Sequence, residues 1–422
     1  MVTMLKEKER KQTEKLTFMD HMKALGPAII VVAGIIGPGT ITTMSVVGAD
    51  FGFKALWIVT LACIFAYIYQ EPATRITLQT GMSILEGIRK FIGKPVSIFL
   101  FVTVLIGAIA FQAGNFTGAA LALNYFVPEV SIPIWALTMA LAALVIVWIG
   151  VYNIIENINK VLIALMIIAF VLTAFTAGPE SSGIFKEGFS FDTLGGDYWL
   201  ILALLATTMP PNIVLGLSSF IRAKYESEKK INPERELKLS KFDLRFSMAA
   251  TLLISGAIVI SAGAIIHPQG ITIESAADMA EQLTPVLGTY AGVLFSLGLW
   301  AAAFSSGIYQ ITLASRFLNE AIGLPIDNKA ARSRFIMVLA SLLPVAIFLA
   351  FEDVPITIII TAQSLNGLAL PLVAATVLFL ANNKRFLGDR VNNMWQNIRY
   401  GIILLIVTLL ALQVFLGLFN VI

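Results

Sequence analysis

The sequence predicts an all-α membrane protein built from two five-helix repeats that cross the membrane in opposite senses, with an eleventh transmembrane helix appended. Three observations lead there. Hydrophobic residues make up 58% of the 422 positions and charged residues only 13%, a balance foreign to soluble globular chains. Runs of roughly 20 apolar residues, the length that crosses a hydrocarbon core, recur along the chain. Two of these runs are interrupted in the middle, at Gly37-Pro38-Gly39-Thr40 and at Met209-Pro210-Pro211-Asn212.

Taken in order, residues 1–24 hold the mixed-charge stretch Lys6 to Lys15, which lacks apolar periodicity and reads as a solvated tail. The first apolar run starts near Gly26 and exceeds the roughly 7–15 residues of a secretory core, so it is expected to be a membrane helix and not a signal peptide. Spans are expected near 26–49, 54–74, 96–124, 132–151, 159–177, 198–220, 245–266, 285–315, 333–351, 355–381 and 400–421. The first repeat would then cover 25–178, the second 197–382, and the last helix would lie in 396–422.

Charge orients these spans. With the N-terminus in the cytoplasm, only Lys54 and Lys186 of the 29 Lys and Arg fall outside, leaving 29 minus 2, or 27, on the inner side. The positive-inside rule is thereby met, and the C-terminus is expected outside a plasma or inner membrane. Outer loops are acidic, as at Glu180, Glu187, Asp192 and Asp197, while Trp148, Trp199 and Trp395 fall near span ends. The largest inner loop, Arg222 to Arg245, mixes eight basic with five acidic side chains and reads as a solvated connector in preference to a binding site for anionic lipid or a partner. The single cysteine, Cys63, excludes a disulfide framework and a thiolate metal cluster.

The interruptions point to function. Proline removes a backbone donor and clashes with the preceding turn, and glycine relaxes the chain, so N–H and C=O groups are freed at membrane depth. Such backbone is tolerated only where it is buried in protein or lines a cavity. The breaks fall in spans 1 and 6, so each opens a block of five helices. Because five is odd, a second copy enters the membrane in the opposite sense, which is the inverted repeat of LeuT-type transporters.

Several stretches together resemble the natural resistance-associated macrophage protein (Nramp) family of proton-coupled divalent metal transporters. They are GPAIIVVAGIIGPGT with GADFGFKALW, LALNYF, ATTMPPN, AIIHPQG, LFSLGLWAAAFSS and AQSLNGLALPL. The resemblance implies the LeuT-type fold and a metal site built on an Asp-Pro-Gly-Asn break in helix 1 and a Met-Pro-His break in helix 6. Pro38, Gly39, Met209 and Pro210 match that pattern, as does Ala206, whose position supplies a backbone carbonyl ligand in the family. Gln363 matches a helix 10 glutamine that approaches the metal. The charged groups do not match: Gly37 replaces the ligand Asp, Thr40 the ligand Asn, and Pro211 the His. On the proton route, Gln112 and Asn115 stand where the family has Asp and Glu, and Gly216 where it has a second His. No carboxylate is expected inside any span, and Glu71, at the inner end of span 2, reads as interfacial and structural.

A stripped divalent cation loses a large hydration energy, which a low-dielectric site must offset with anions or many oxygens. Three readings stay open. The chain moves a divalent ion that keeps most of its water, as suits magnesium, without proton coupling, and Thr40, Gln112, Asn115, Asn212 and Gln363 contact the water shell; the substrate site is Gly37, Thr40, Ala206, Met209 and Gln363, with Met209 and Gln363 the candidates for metal contact. Alternatively, the scaffold binds a small neutral or zwitterionic organic solute. Or it is a non-transporting sensor or inactive paralogue, since fold does not fix function. Enzymatic chemistry is unsupported: His21 and His267 lie far apart, Ser305-Ser306 and Ser218-Ser219 suit helix packing, and no glycine-rich phosphate loop follows a strand. The expected partners are membrane lipids and a small ion or small molecule, with no cofactor and no nucleic acid; the sequence leaves oligomeric state open.

Overall fold

The computed structural model describes residues 35–149, 152–176, 181–191, 193–227, 232–350 and 355–418. In chain order the helices are α1 (Pro38–Phe51), α2 (Leu56–Thr80), α3 (Ile84–Phe91), α4 (Lys94–Asn124), α5 (Ile132–Ile149), α6 (Tyr152–Thr176), α7 (Ser181–Gly188), α8 (Tyr198–Thr208) and α9 (Pro211–Ser227). There follow α10 (Pro233–Ile265), α11 (Ala276–Glu281), α12 (Thr284–Leu287), α13 (Ala291–Ile322), α14 (Ala331–Ala350), α15 (Pro355–Gly367), α16 (Leu370–Ala381), α17 (Lys384–Leu387) and α18 (Met394–Leu418). Among the described residues, nine helical stretches are long and apolar enough to cross a membrane, and Ile163–Thr176 adds a shorter apolar helix. The beginning of the expected first span, and the N-terminal tail before it, lie outside the described residues.

Local signals account for the helix ends. Ser83 and Glu86 form a reciprocal capping box that starts α3, and Ser275 with Asp278 does the same for α11. Asn232 accepts from the backbone of Glu234 and Arg235 ahead of Pro233, so α10 begins well before its apolar stretch. Helix α2 ends at Gly81, whose left-handed φ of 68° costs a glycine little.

Helices α4 and α13 form the spine: α13 packs along α4, which also carries α15, while α10 lies across α1 and α2, and α8 packs on α15. Lipid-facing side chains surround this core, among them Ile106 (64% exposed) on α4, Ile149 on α5 and Leu405 on α18. Three hydrophobic clusters fill the interior, one of them around Phe116, Phe304 and Met337, and the other two meet at the breaks. Of these two, one contains Ile76, Ile84, Met248, Phe317 and Tyr400, the other Val47, Leu56, Ile266, Met279 and Phe295. Ile35, Ala206 and Met209 belong to the first and Ile36, Ile41 and Leu205 to the second. Both breaks therefore straddle the boundary between clusters, at the middle of the protein.

Two features depart from the sequence reading. The expected span 355–381 is broken, with Leu368 and Ala369 separating α15 from α16 and Pro371 in the first turn of the second piece. The other concerns carboxylates: α13 runs on to Ile322 and carries Glu320, only 2% exposed. Its carboxylate accepts from Ser83 Oγ at 2.8 Å and Ser219 Oγ at 2.5 Å, and its carbonyl accepts from Arg89. Arg316 Nε donates to the same Ser219 hydroxyl at 2.9 Å, while Arg222 pairs with Glu86. Glu320 thus ties α3, α9 and α13 together at the basic end. Glu71 matches its structural reading, held by Lys241 at 2.8 Å and Arg75 at 3.6 Å.

Glu320→Ala strands two buried hydroxyls, and the expected loss is about 1–3 kcal/mol. Thermal unfolding in detergent should show a clear drop in Tm, and a smaller drop for Glu320→Gln, which keeps one acceptor.

Candidate functional site

At the first break the chain leaves helical geometry at Ile36 and Gly37 and resumes it at Pro38. Gly37 is extended (φ −104°, ψ −173°), and its N–H turns back to the Ile35 carbonyl at 2.8 Å. Pro38 suits the first turn of α1, where its missing N–H has no helical partner to lose. Its ring sits against Gly118 of α4, where a Cβ would come within 2.4 Å of Pro38 Cβ. Thr40 Oγ1 donates to the Ile35 carbonyl at 2.5 Å, which uses its only proton. In the 2.7 Å contact between Thr40 and Thr207 hydroxyls, Thr207 must then be the donor. Thr40, expected at the site, caps a freed carbonyl and pins the first break to the second.

At the second break α8 stops at Thr208, Met209 departs to φ −129°, ψ 59°, and α9 restarts at Pro211. Pro210 and Pro211 have no N–H to return to the carbonyls four residues back, so those of Ala206 and Thr207 lose their helical donors. Ala206 lies against α15, its Cβ 3.0 Å from where a Cβ on Gly367 would stand. Met209 is buried. Asn212 Nδ2 reaches Gln310 Oε1 at 2.6 Å, leaving Asn212 Oδ1 and Gln310 Nε2 unpaired.

The surrounding shell is polar and uncharged. Gln363, on α15, is fully buried, and neither amide atom has a hydrogen-bond partner. It lies flush on Gly39, where a Cβ would come within 2.2 Å of Nε2. Gln112 Nε2 donates to the Gly307 carbonyl at 3.0 Å and Asn115 Nδ2 to Gln112 Oε1 at 2.9 Å. Asn115 Oδ1 and Ser306 Oγ are unpaired, and both lie beside Gly37, 3.7 and 3.4 Å from the place of a Cβ. Structure thus brings together Gly37, Pro38, Gly39, Thr40, Gln112, Asn115 and Gln363. Ser306 was not foreseen as lining, nor was the third break, signalled only by Asn366-Gly367 ahead of Pro371. Asn366 is buried with both amide atoms unpaired. Gly216 stands apart, facing the Tyr309 hydroxyl (2.9 Å from a Cβ) and Leu313. His267 lies in a turn, Nδ1 2.6 Å from the Ala49 carbonyl.

Among the described residues, no three His, Cys, Asp or Glu side chains come close enough to share a metal ion. The breaks therefore offer carbonyls, amides and a thioether, which suit a hydrated ion or a neutral solute better than a stripped cation.

A family profile described as natural resistance-associated macrophage protein-like matches residues 28–417. The chain belongs to the Nramp family. Among curated relatives, the divalent metal cation transporter MntH of Caldanaerobacter subterraneus subsp. tengcongensis is 24% identical over 371 residues, 87% of this chain and 86% of the relative. MntH of Klebsiella pneumoniae subsp. pneumoniae is 27% identical over 394 residues, 91% of this chain and 92% of the relative. Among solved structures, a variant of the Eremococcus coleocola manganese transporter superposes with a TM-score of 0.79 at 16% identity, covering 95% of this chain and 87% of that one. MhsT in complex with L-phenylalanine gives 0.63 at 18% identity, covering 93% and 98%. This Nramp member has the LeuT-type inverted-repeat fold and is a multi-pass membrane protein.

Gly39→Ala forces a methyl into the Gln363 amide, an overpacking expected to cost about 1–3 kcal/mol. Adding Gln363→Gly should recover most of that loss. A double-mutant cycle by thermal unfolding checks the coupling, which is absent if the two residues do not touch.

Proposed function

We propose that this protein is a secondary transporter that carries a divalent metal ion across the membrane, holding it with most of its water between the breaks of spans 1 and 6. The observation that carries the reading is the uncharged shell: the unpaired Gln363 amide, Asn115 Oδ1 and Ser306 Oγ around Gly37-Pro38-Gly39. Buried polar atoms without partners are costly, and their placement at a break of an Nramp chain suits contact with a hydrated cargo. Relatives named as divalent metal cation transporters support the ionic cargo. The uncharged shell supports magnesium, which dehydrates reluctantly, over a transition metal.

Within this reading Gly37, Ala206 and Met209 line the site, and Gln363 touches the ion's water. Gln112 and Asn115 leave no carboxylate for a proton relay, so transport is uniport. The two repeats, 25–178 and 197–382, alternate access by rocking the bundle that contains spans 1 and 6 against the rest. The N-terminus is cytoplasmic, as the distribution of Lys and Arg supports.

In proteoliposomes the expected result is saturable magnesium uptake that is indifferent to a pH gradient. Manganese uptake accompanied by protons would overturn the reading; no flux of either ion would also overturn it, in favour of the organic solute or the non-transporting alternative. Gly37→Asp places a carboxylate beside Ser306 and Asn115 and should raise manganese affinity at least about tenfold, roughly 1.4 kcal/mol, by equilibrium binding.

A further inference from the structure

A cleft of about 210 Å³ opens between α2, α10 and α18 at their basic ends. Lys241 and Arg245, one turn apart on α10, and Arg399 on α18 contribute three cations to its walls; Glu71 on α2 contributes one anion. That anion is already neutralised. Lys241 Nζ lies 2.8 Å from Glu71 Oε1 and Arg75 Nε 3.6 Å from Oε2. Arg75 in turn is engaged with the Arg390 carbonyl at 2.8 Å and with Asn392.

The two remaining guanidinium groups keep donors in hand. Arg245 donates from Nε to the Tyr67 hydroxyl at 3.2 Å and stacks 5.7 Å from that ring's centroid. Arg399 donates from Nε to the Trp395 carbonyl of its own helix at 3.3 Å. Both described bonds use Nε, so the paired Nη groups, whose planar fork matches phosphate oxygens, are left for another acceptor. Apolar surface leads away from this charge. Ile68 lines the cleft, Ile64 one turn further along α2 is 48% exposed, and Ile402 one turn beyond Arg399 is 51% exposed. A pocket with a cationic base that opens onto lipid-facing side chains fits a molecule with a phosphate head and hydrocarbon tails.

We propose that this cleft binds the phosphate of an anionic membrane phospholipid. Arg245 and Arg399 hold the phosphate oxygens, Lys241 adds to the positive field, and the acyl chains run along Ile68, Ile64 and Ile402. Such a lipid joins α18, which lies outside the ten-helix repeat unit, to α2 and α10 within it. The site is remote from the breaks in sequence and chemistry and does not depend on which ion crosses there.

The test uses the full chain in phosphatidylcholine with added phosphatidylglycerol or inorganic phosphate. Bound lipid is counted by native mass spectrometry and affinity read from the shift in Tm. Phosphatidylglycerol should be retained in preference to phosphatidylcholine. Arg399→Gln should weaken its binding about fivefold, and the Arg245→Gln, Arg399→Gln pair about twenty-five-fold, as each cation near a lipid surface contributes comparably. Arg399 bonds only within its own helix among the described contacts, so Arg399→Gln should melt like the parent in pure phosphatidylcholine and decides the matter if the double variant does not fold. Equal retention of the two lipids, or equal binding of phosphatidylglycerol by parent and variants, would overturn the proposal. Displacement of the lipid by millimolar inorganic phosphate would overturn the lipid as source and assign the cleft to a soluble phosphate.

Discussion

A helix that stops halfway through a bilayer exposes backbone groups where no water can satisfy them, and this fold is organised around meeting that demand twice in one place. The Thr40 hydroxyl donates to the Ile35 carbonyl and accepts from Thr207, joining the two interrupted helices across 167 positions of sequence. Pro38 against Gly118 and Gln363 against Gly39 close the remaining space with contacts that only glycine permits. The long helices α4, α13 and α15 then act as the wall that makes irregular backbone tolerable at this depth.

On the proposed reading, the same construction limits what the site binds. A cation taken from water needs its hydration replaced, and without a carboxylate the replacement must come from dipoles. Carbonyls freed by Pro210 and Pro211, the Gln363 amide and the Asn115 oxygen supply dipoles but no countercharge. The buried carboxylates Glu320 and Glu71 are placed elsewhere: Glu320 clamps α3, α9 and α13 at the basic end, and Glu71 binds α2 to α10. Carboxylates thus hold the helices together while the midplane stays neutral.

How much of this was legible in the sequence depended on how local the signal was. Gly37-Pro38-Gly39 and Met209-Pro210-Pro211 declare their breaks because proline cannot donate, wherever it folds. The break after Gly367 carries only the weaker signal of Pro371, whose missing N–H leaves the Gly367 carbonyl without its helical donor; that Gly367 meets Leu202 and Ala206 of a distant helix is not legible locally. Glu320 was missed because α13 continues past the apolar window that marks the span. Nothing near Thr40 in sequence shows that Thr207 engages its hydroxyl, because the partner comes from a distant helix. Ser306 became part of the lining only through the approach of α13 to Gly37.

Proton counting in magnesium binding tests the neutral midplane most directly. Titration calorimetry in buffers of differing ionisation enthalpy reads how many protons leave when the ion binds, because ionisable ligands must be deprotonated to coordinate. A neutral site should show saturable binding with no proton exchanged and no dependence on pH between about 3.5 and 8, a range that takes in the ordinary titrations of carboxylates and histidines. Release approaching one proton per ion, or affinity that climbs steeply with pH, would show a titrating ligand at the site and contradict its neutrality.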